Sequence, residues 1–412
     1  MNLTVKKVII LFLLFPMSTL VTAGIDDIFD MIFNAINDES DSEFSILWEQ
    51  ISREDKNIIV QLHGRQDFNG NSLLHIACSK GRIEIVNILL SYGADINACD
   101  CHGDTPLFLS VIVNDWNMFK LLISKNADVN VQNTNGQTAL HCAVNASMLK
   151  YAKSLLDRGA NINKTNNKQK TAIHLASVCS SDYILPLVLG STQLPDLDLL
   201  DIDQCTALHR ATMLHKVHNV SRLLNSGADV NVRNKNGLTA LHLALRPKYL
   251  TSSKSNYSPL PEQVIIAELV NHNANINTVD YNGFTPLHIA ACYHTPIILN
   301  ILLDHDADIS AKNNIGHTVL HSAMRHGRAD NVGFFLQNSK IKKFGIKLFF
   351  ELISFSVTHH YNEECIKLLL SFLRRHHDIN TIHANLKKIC YSMEEKDFLY
   401  VKSFFSILET AL

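Results

Sequence analysis

Histidine is the residue type in this chain best placed to do chemistry, with 21 copies, and seven of them follow a Ser or Thr by three residues: His75, His141, His174, His209, His242, His288 and His321. Imidazoles ligate metals and shuttle protons, and a site built from them needs several to converge on one point. These seven succeed one another at intervals of 33 residues or more, so successive units should place them one repeat apart rather than around a common point, and no acid/base or metal cluster is expected. A second group, His359, His360, Cys365, His376, His377, His383 and Cys390, comes as scattered pairs without a C-x-x-C or H-x-x-x-H unit. No metal centre is expected there. The chain also lacks a G-x-S-x-G, a phosphate-cradling Gly-rich loop and an H-E-x-x-H. It reads as a non-enzyme with no cofactor and no metal.

Nine cysteines are present, an odd number. Cys78, Cys142, Cys179 and Cys292 fall on short apolar segments close to the histidines, where a thiol packs as a small hydrophobe. Cys99 and Cys101 form a single C-x-C, a weak signal for a metal or a disulfide.

What positions these residues is a repeat. Asn69-Gly70-Asn71-Ser72-Leu73-Leu74-His75-Ile76-Ala77 returns as Gly103-Asp104-Thr105-Pro106-Leu107 and as Gly136-Gln137-Thr138-Ala139-Leu140-His141, each glycine 33 residues after the last. The register runs on through Thr171, Thr206, Thr239, Thr285 and Thr318, making eight units. In the third, Thr138 opens a helix with Ala139, Leu140, Ala143 and Val144 as its apolar stripe. A second stripe, Leu149, Ala152, Leu155 and Leu156, ends at Gly159, which accepts a left-handed backbone. Two short helices cannot cover their own apolar faces, so each unit depends on its neighbours.

The pattern G-x-T-P-L-H-x-A followed by L-L-x-x-G-A-D-V-N resembles the ankyrin repeat, over about residues 67–340. The resemblance implies an all-α solenoid of helix-turn-helix units with projecting β-hairpin loops and a concave face lined by the shorter inner helices; the need to cover the apolar faces of the array adds helical caps at both ends. It also implies that the Thr and His of T-P-L-H hold the turn and bridge adjacent units. Departures are visible. Phe108 replaces the motif histidine in the second unit, and Gln169 and Gln204 replace the glycine in the fourth and fifth, where the turns should be strained or differently shaped. The closing phrase of the fourth unit is absent, with Leu194–Leu200 in its place, and an insertion of about 13 residues falls near 247–261.

Outside the repeats, residues 24–66 read as a helical N-terminal cap and 341–412 as a helical C-terminal region of degenerate repeats or a cap. Residues 1–23 combine Lys6 and Lys7, an apolar run and Val21-Thr22-Ala23, the layout of a cleavable signal peptide. That points to a secreted or exported protein, with a periplasmic or membrane-anchored one as the alternative. The apolar run is shorter than the roughly 20 residues a spanning helix needs, and no span is expected after cleavage. Lys and Arg total 37 against 39 Asp and Glu, a net charge of −2. That balance removes the electrostatic footprint of nucleic-acid binding.

The resemblance therefore implies a monomeric scaffold that binds another protein through the concave face and hairpin tips. The contact residues it implies are Phe68, Asn71, His102, Asp104, Asn135, Gln137, Lys235, Asn236, Tyr281, Asn282, Phe284, Tyr293, His317 and Arg325. Tyr281, Phe284 and Tyr293 mark the seventh unit as the energetic centre, because aromatic anchors dominate interfaces. The alternative is a host-directed effector whose repeats select a target while residues 340–412 carry the activity or dock other machinery.

Overall fold

The computed structural model describes residues 25–37, 44, 45, 47–49, 51, 56–247, 261–343, 345–358 and 362–392. The expected signal segment, most of the insertion and the residues after Ser392 lie outside them. The chain divides into two compact units, Met1–Pro195 and Asp196–Leu412. Among the described residues the regular elements are all helices.

The first unit opens with α1 (Ile25–Asn37) and α2 (Lys56–Gly64). Four helix pairs follow: α3 (Leu73–Ser79) and α4 (Ile83–Ser91), α5 (Pro106–Ile112) and α6 (Trp116–Ser124), α7 (Ala139–Asn145) and α8 (Leu149–Asp157), α9 (Ala172–Val178) and α10 (Ile184–Leu189). In the second unit the pairs are α11 (Ala207–Met213) and α12 (Val217–Asn225), α13 (Ala240–Ala244) and α14 (Pro261–Asn271), α15 (Pro286–Tyr293) and α16 (Pro296–Asp304), α17 (Val319–Arg325) and α18 (Ala329–Gln337). A 3₁₀ turn over Ser339–Lys343 leads to α19 (Ile346–Thr358), α20 (Glu363–His376) and α21 (Ile379–Ser392).

Each first helix begins the same way. In α7 the Thr138 hydroxyl accepts the His141 backbone N–H, and the His141 side chain turns back to the Thr138 N–H, closing a capping box in which histidine replaces the usual Glu or Gln. In α5 the same Thr position caps the helix with Pro106 in its first turn, where the missing N–H costs nothing. Every first helix is sunk in the core: Leu140, Ala143 and Val144 are buried, as are Tyr151, Ala152 and Leu155 of the helix that follows. Burying each such leucine contributes about 1.5–3 kcal/mol, which only stacked neighbours make available.

The ends of the stacks are covered. Helix α1 buries Ile28, Phe29, Ile32 and Ile36 and packs on α2 and α3, while Trp48 lies against His63 and edge-on to Tyr92. At the other end α19 packs on α17 and α20 on α18. This is the pairing of first helix with first and second with second that a further repeat would make.

The glutamine departures keep the glycine shape. Gln169 and Gln204 adopt φ of 55° and 54°, the left-handed values that Gly70, Gly103 and Gly136 adopt in the same place. The strain expected at these turns is present and the altered shape is not, because the flanking hydrogen bonds over-determine the turn. The closing phrase of the fourth repeat, read as absent, is supplied by Asp196-Leu197-Asp198. The Asp198 N–H donates to Asp196 Oδ1 at 3.1 Å, and the Asp229 N–H donates to Asp198 Oδ1 at 3.0 Å. Those are the bonds that Asp128 and Asn130 make with Asn161. A carboxylate accepts as well as the amide oxygen does, so the phrase survives without its Gly-Ala or its Asn.

Candidate functional site

Two hydrogen-bond systems set the face on which the expected contact residues lie. The first is a series of histidine rungs. The Thr138 backbone N–H donates to His141 Nδ1 at 3.2 Å, so the proton sits on Nε2. That nitrogen donates to the Lys170 carbonyl in the next repeat at 3.1 Å. His75 reaches the Asp104 carbonyl, His209 that of Leu238, His242 that of Phe284 and His288 that of His317, all at 3.0–3.2 Å. The rung at His242 spans 42 residues where the others span 29, so the insertion leaves it intact. Burial holds these imidazoles below the ordinary pKa of 6.5, His242 and His321 down to about 4.

The second system was not read from the sequence. In all eight repeats an Asp or Asn three residues before the turn Gly or Gln accepts two backbone N–H groups, as Asn133 Oδ1 does from Asn135 at 3.0 Å and Gln137 at 2.9 Å. Asp67, Asp100, Asn166, Asp201, Asn234, Asp280 and Asn313 do the same. The signal was available as D/N-x-x-G at six of the turns and D/N-x-x-Q at the other two. Within each compact unit successive tips are then tied to one another, as the Thr134 N–H is to the His102 carbonyl at 2.8 Å and the Asn314 N–H to that of Asn282 at 3.1 Å.

On this frame the expected contact residues separate. Phe68, His102, Asn135, Asn236 and Asn282 are exposed at tips. Asn71 and Gln137 lie half-buried at the stems, where Asn71 donates to Asp67 Oδ2 at 3.0 Å. Asp104 accepts from Asn133 Nδ2 at 2.8 Å, and burial raises its pKa. Lys235 is held by Asp203 at 2.6 Å; with Arg210 on the other oxygen, that carboxyl is pulled down to about 2. Tyr281 carries the Arg233 guanidinium over its ring at 5.3 Å.

The remaining four converge. Phe284, Tyr293, His317 and Arg325, with Asn282, line a groove of about 560 Å³ across the sixth, seventh and eighth repeats, together with Arg246, Pro247, Asp280, Ile289, Cys292, His321, Ser322 and His326. Phe284 stands edge-on to His288, and Tyr293 edge-on to His326 at 4.9 Å between centroids. His317 stacks flat on His321 at 4.7 Å, and both meet the edge of Phe355 from α19. Of the three aromatic residues taken as the energetic centre, the groove gathers Phe284 and Tyr293 and leaves Tyr281 among the tips.

Family models for ankyrin repeats match residues 45–133, 111–193 and 262–344, more than half of the chain, and a second ankyrin repeat model matches 208–247. The chain belongs to the ankyrin repeat family. An ankyrin repeat domain-containing protein of Monkeypox virus is 35% identical over 72 residues, 16% of this chain and 11% of that protein. An ADP-ribosylation factor GTPase-activating protein of Arabidopsis thaliana is 51% identical over 43 residues, 10% of this chain and 6% of that one. The ankyrin repeats therefore span only a small part of the curated relatives they match. The crystal structure of the ankyrin repeat domain of Bcl-3 aligns with 28% identity and a TM-score of 0.45, covering 54% of this chain and 94% of that one.

Within the ankyrin array, sequence reasoning missed Arg246 and His326 as groove residues. Arg246 and Arg325 both stand four residues after a rung histidine and His326 stands five after, the column that also holds Tyr293. Aligning the eight repeats on their histidines brings that column out. Among the described residues no group of three or more His, Cys, Asp or Glu could hold a metal. Cys78 and Cys365 are buried, while Cys99 and Cys101 are exposed.

Proposed function

We propose that this ankyrin repeat protein is a non-enzymatic interaction scaffold that binds a partner protein through its hairpin tips and first-helix ends, with the groove of the sixth to eighth repeats as the principal contact. The observation that carries the reading is the convergence of Asn282, Phe284, Tyr293, His317 and Arg325 on one groove. Aromatic and arginine side chains of this kind are the usual energetic anchors of protein interfaces. We read residues 1–23 as an export signal and the chain as a monomer that meets its partner outside the producing compartment; N-terminal sequencing of the mature protein should return Gly24. Photo-crosslinking tests the groove. A photoreactive residue at Tyr293 or Asn282 should capture a partner in cell extract, and one at the exposed Lys153 of a second helix should not. Capture that is equal from both positions refutes the assignment.

A further inference from the structure

The histidine rungs end in a donor with no acceptor among the described residues. At His321 the Thr318 N–H donates to Nδ1 at 3.2 Å as in the other repeats, which leaves the proton on Nε2. At His75, His141, His209, His242 and His288 that nitrogen finds the carbonyl of the next hairpin. Here α19 stands where the next repeat would be and offers the Phe355 ring at 5.3 Å instead, and Nε2 has no acceptor among the described residues.

His321 lines the groove, and so do two guanidinium groups, Arg246 and Arg325, that have no side-chain partner among the described residues. Other arginines are engaged: Arg210 by Asp201 and Asp203, Arg328 by Asp330, Arg233 against Tyr281. Among the described residues the one acidic lining residue is Asp280, which is 4% exposed and whose Oδ1 already accepts the N–H groups of Asn282 and Phe284. Among the described lining residues the groove thus offers donors and positive charge with no exposed carboxylate facing them. Tyr293, edge-on to His326, adds an apolar surface to the same groove.

From this juxtaposition we infer that the groove takes an extended acidic peptide segment of a partner protein, its carboxylates meeting Arg246 and Arg325 and one of its oxygens accepting from His321 Nε2. The inference rests on the groove being the interaction site and adds the chemistry of what fills it. Bidentate Arg–carboxylate pairs supply both strength and register, and an aromatic desolvated in the same groove excludes water.

The test uses the full chain and a fluorescein-labelled twelve-residue peptide of alternating Glu and Leu, with its isosteric Gln and its Lys versions, read by fluorescence anisotropy. The Glu peptide should bind at least tenfold tighter than the Gln peptide, and the Lys peptide should not bind. R246Q and R325Q should each weaken the Glu peptide about tenfold and leave the Gln peptide unchanged; neither side chain has a side-chain partner among the described residues, and circular dichroism checks that both variants fold. K153Q should change nothing. Equal affinity for the Glu and Gln peptides, no binding of either, or tighter binding of a twelve-nucleotide thymidine strand than of the Glu peptide overturns the inference. If Tyr293 still crosslinks a partner protein under any of those outcomes, the interaction reading stands and only the acidic chemistry falls.

Discussion

Acidification should dismantle the array through its histidine rungs. His242 is fully buried, donates from Nε2 to the Phe284 carbonyl and has its pKa lowered by desolvation from 6.5 to about 4. The folded protein keeps this ring neutral while the unfolded chain protonates it, so the rung's contribution is fully present above pH 6.5 and is lost as pH falls toward 4. A shift of that size corresponds to about 3 kcal/mol. His321 behaves alike, and His75, His141, His209 and His288 shift in the same direction. Each such ring adds up to about 1.4 kcal/mol per pH unit to the slope of stability, so a few together rival the ~5–15 kcal/mol that holds a domain folded. Asp203 and Asp330, whose pKa values are lowered, act in a more acidic window and do not confuse the reading. Urea unfolding followed by circular dichroism at pH 7.5, 6.5, 5.5 and 4.5 and constant ionic strength measures the slope. The midpoint should fall steeply below pH 6.5, and His242→Gln should remove about one proton from the slope while lowering stability at pH 7.5. An unchanged midpoint from pH 7.5 to 5 would refute the claim that neutral, buried imidazoles bridge the repeats.

Other consequences are separately measurable. Gln204→Gly should raise stability by about 0.5–1 kcal/mol by relieving a left-handed turn, whereas Gly136→Ala should cost about 2 kcal/mol or more, since a Cβ there meets Asn167 N at 2.8 Å; thermal melts of the two variants should move in opposite directions. Asn133→Asp should destabilise at neutral pH by setting a carboxylate against Asp104 where an amide now donates at 2.8 Å. Asn166→Asp, which keeps only the accepting oxygen in use, should stay within about 0.5 kcal/mol. A thiol reagent should modify Cys99 and Cys101 in the native protein at once and reach Cys78 and Cys365 only after urea is added.

The repeat register, the capping Thr and the bridging histidines were legible because each recurs at one spacing, and a recurring residue type in a fixed place reports a shared backbone need. The turn Asp and Asn residues escaped because two residue types share the position, and what matters is an oxygen common to both. Asp196-Leu197-Asp198 was hidden for the same reason: the hydrogen-bonding atoms persisted while the letters changed. The groove was half legible. Tyr293 and Arg325 follow from the column after the histidine, but that Tyr281 departs toward Arg233 depends on how tips stack across repeats, which no single repeat encodes. Nor could the sequence say that His321 lacks an acceptor among the described residues, since that follows from a helix with no repeat motif standing beside it.

The rung from His242 to Phe284 keeps its length although 13 more residues intervene than at its counterparts. That junction is therefore a natural grafting port: foreign loops or whole small domains spliced between Pro247 and Pro261 need satisfy only their own ends, because the beams on either side are already joined without them.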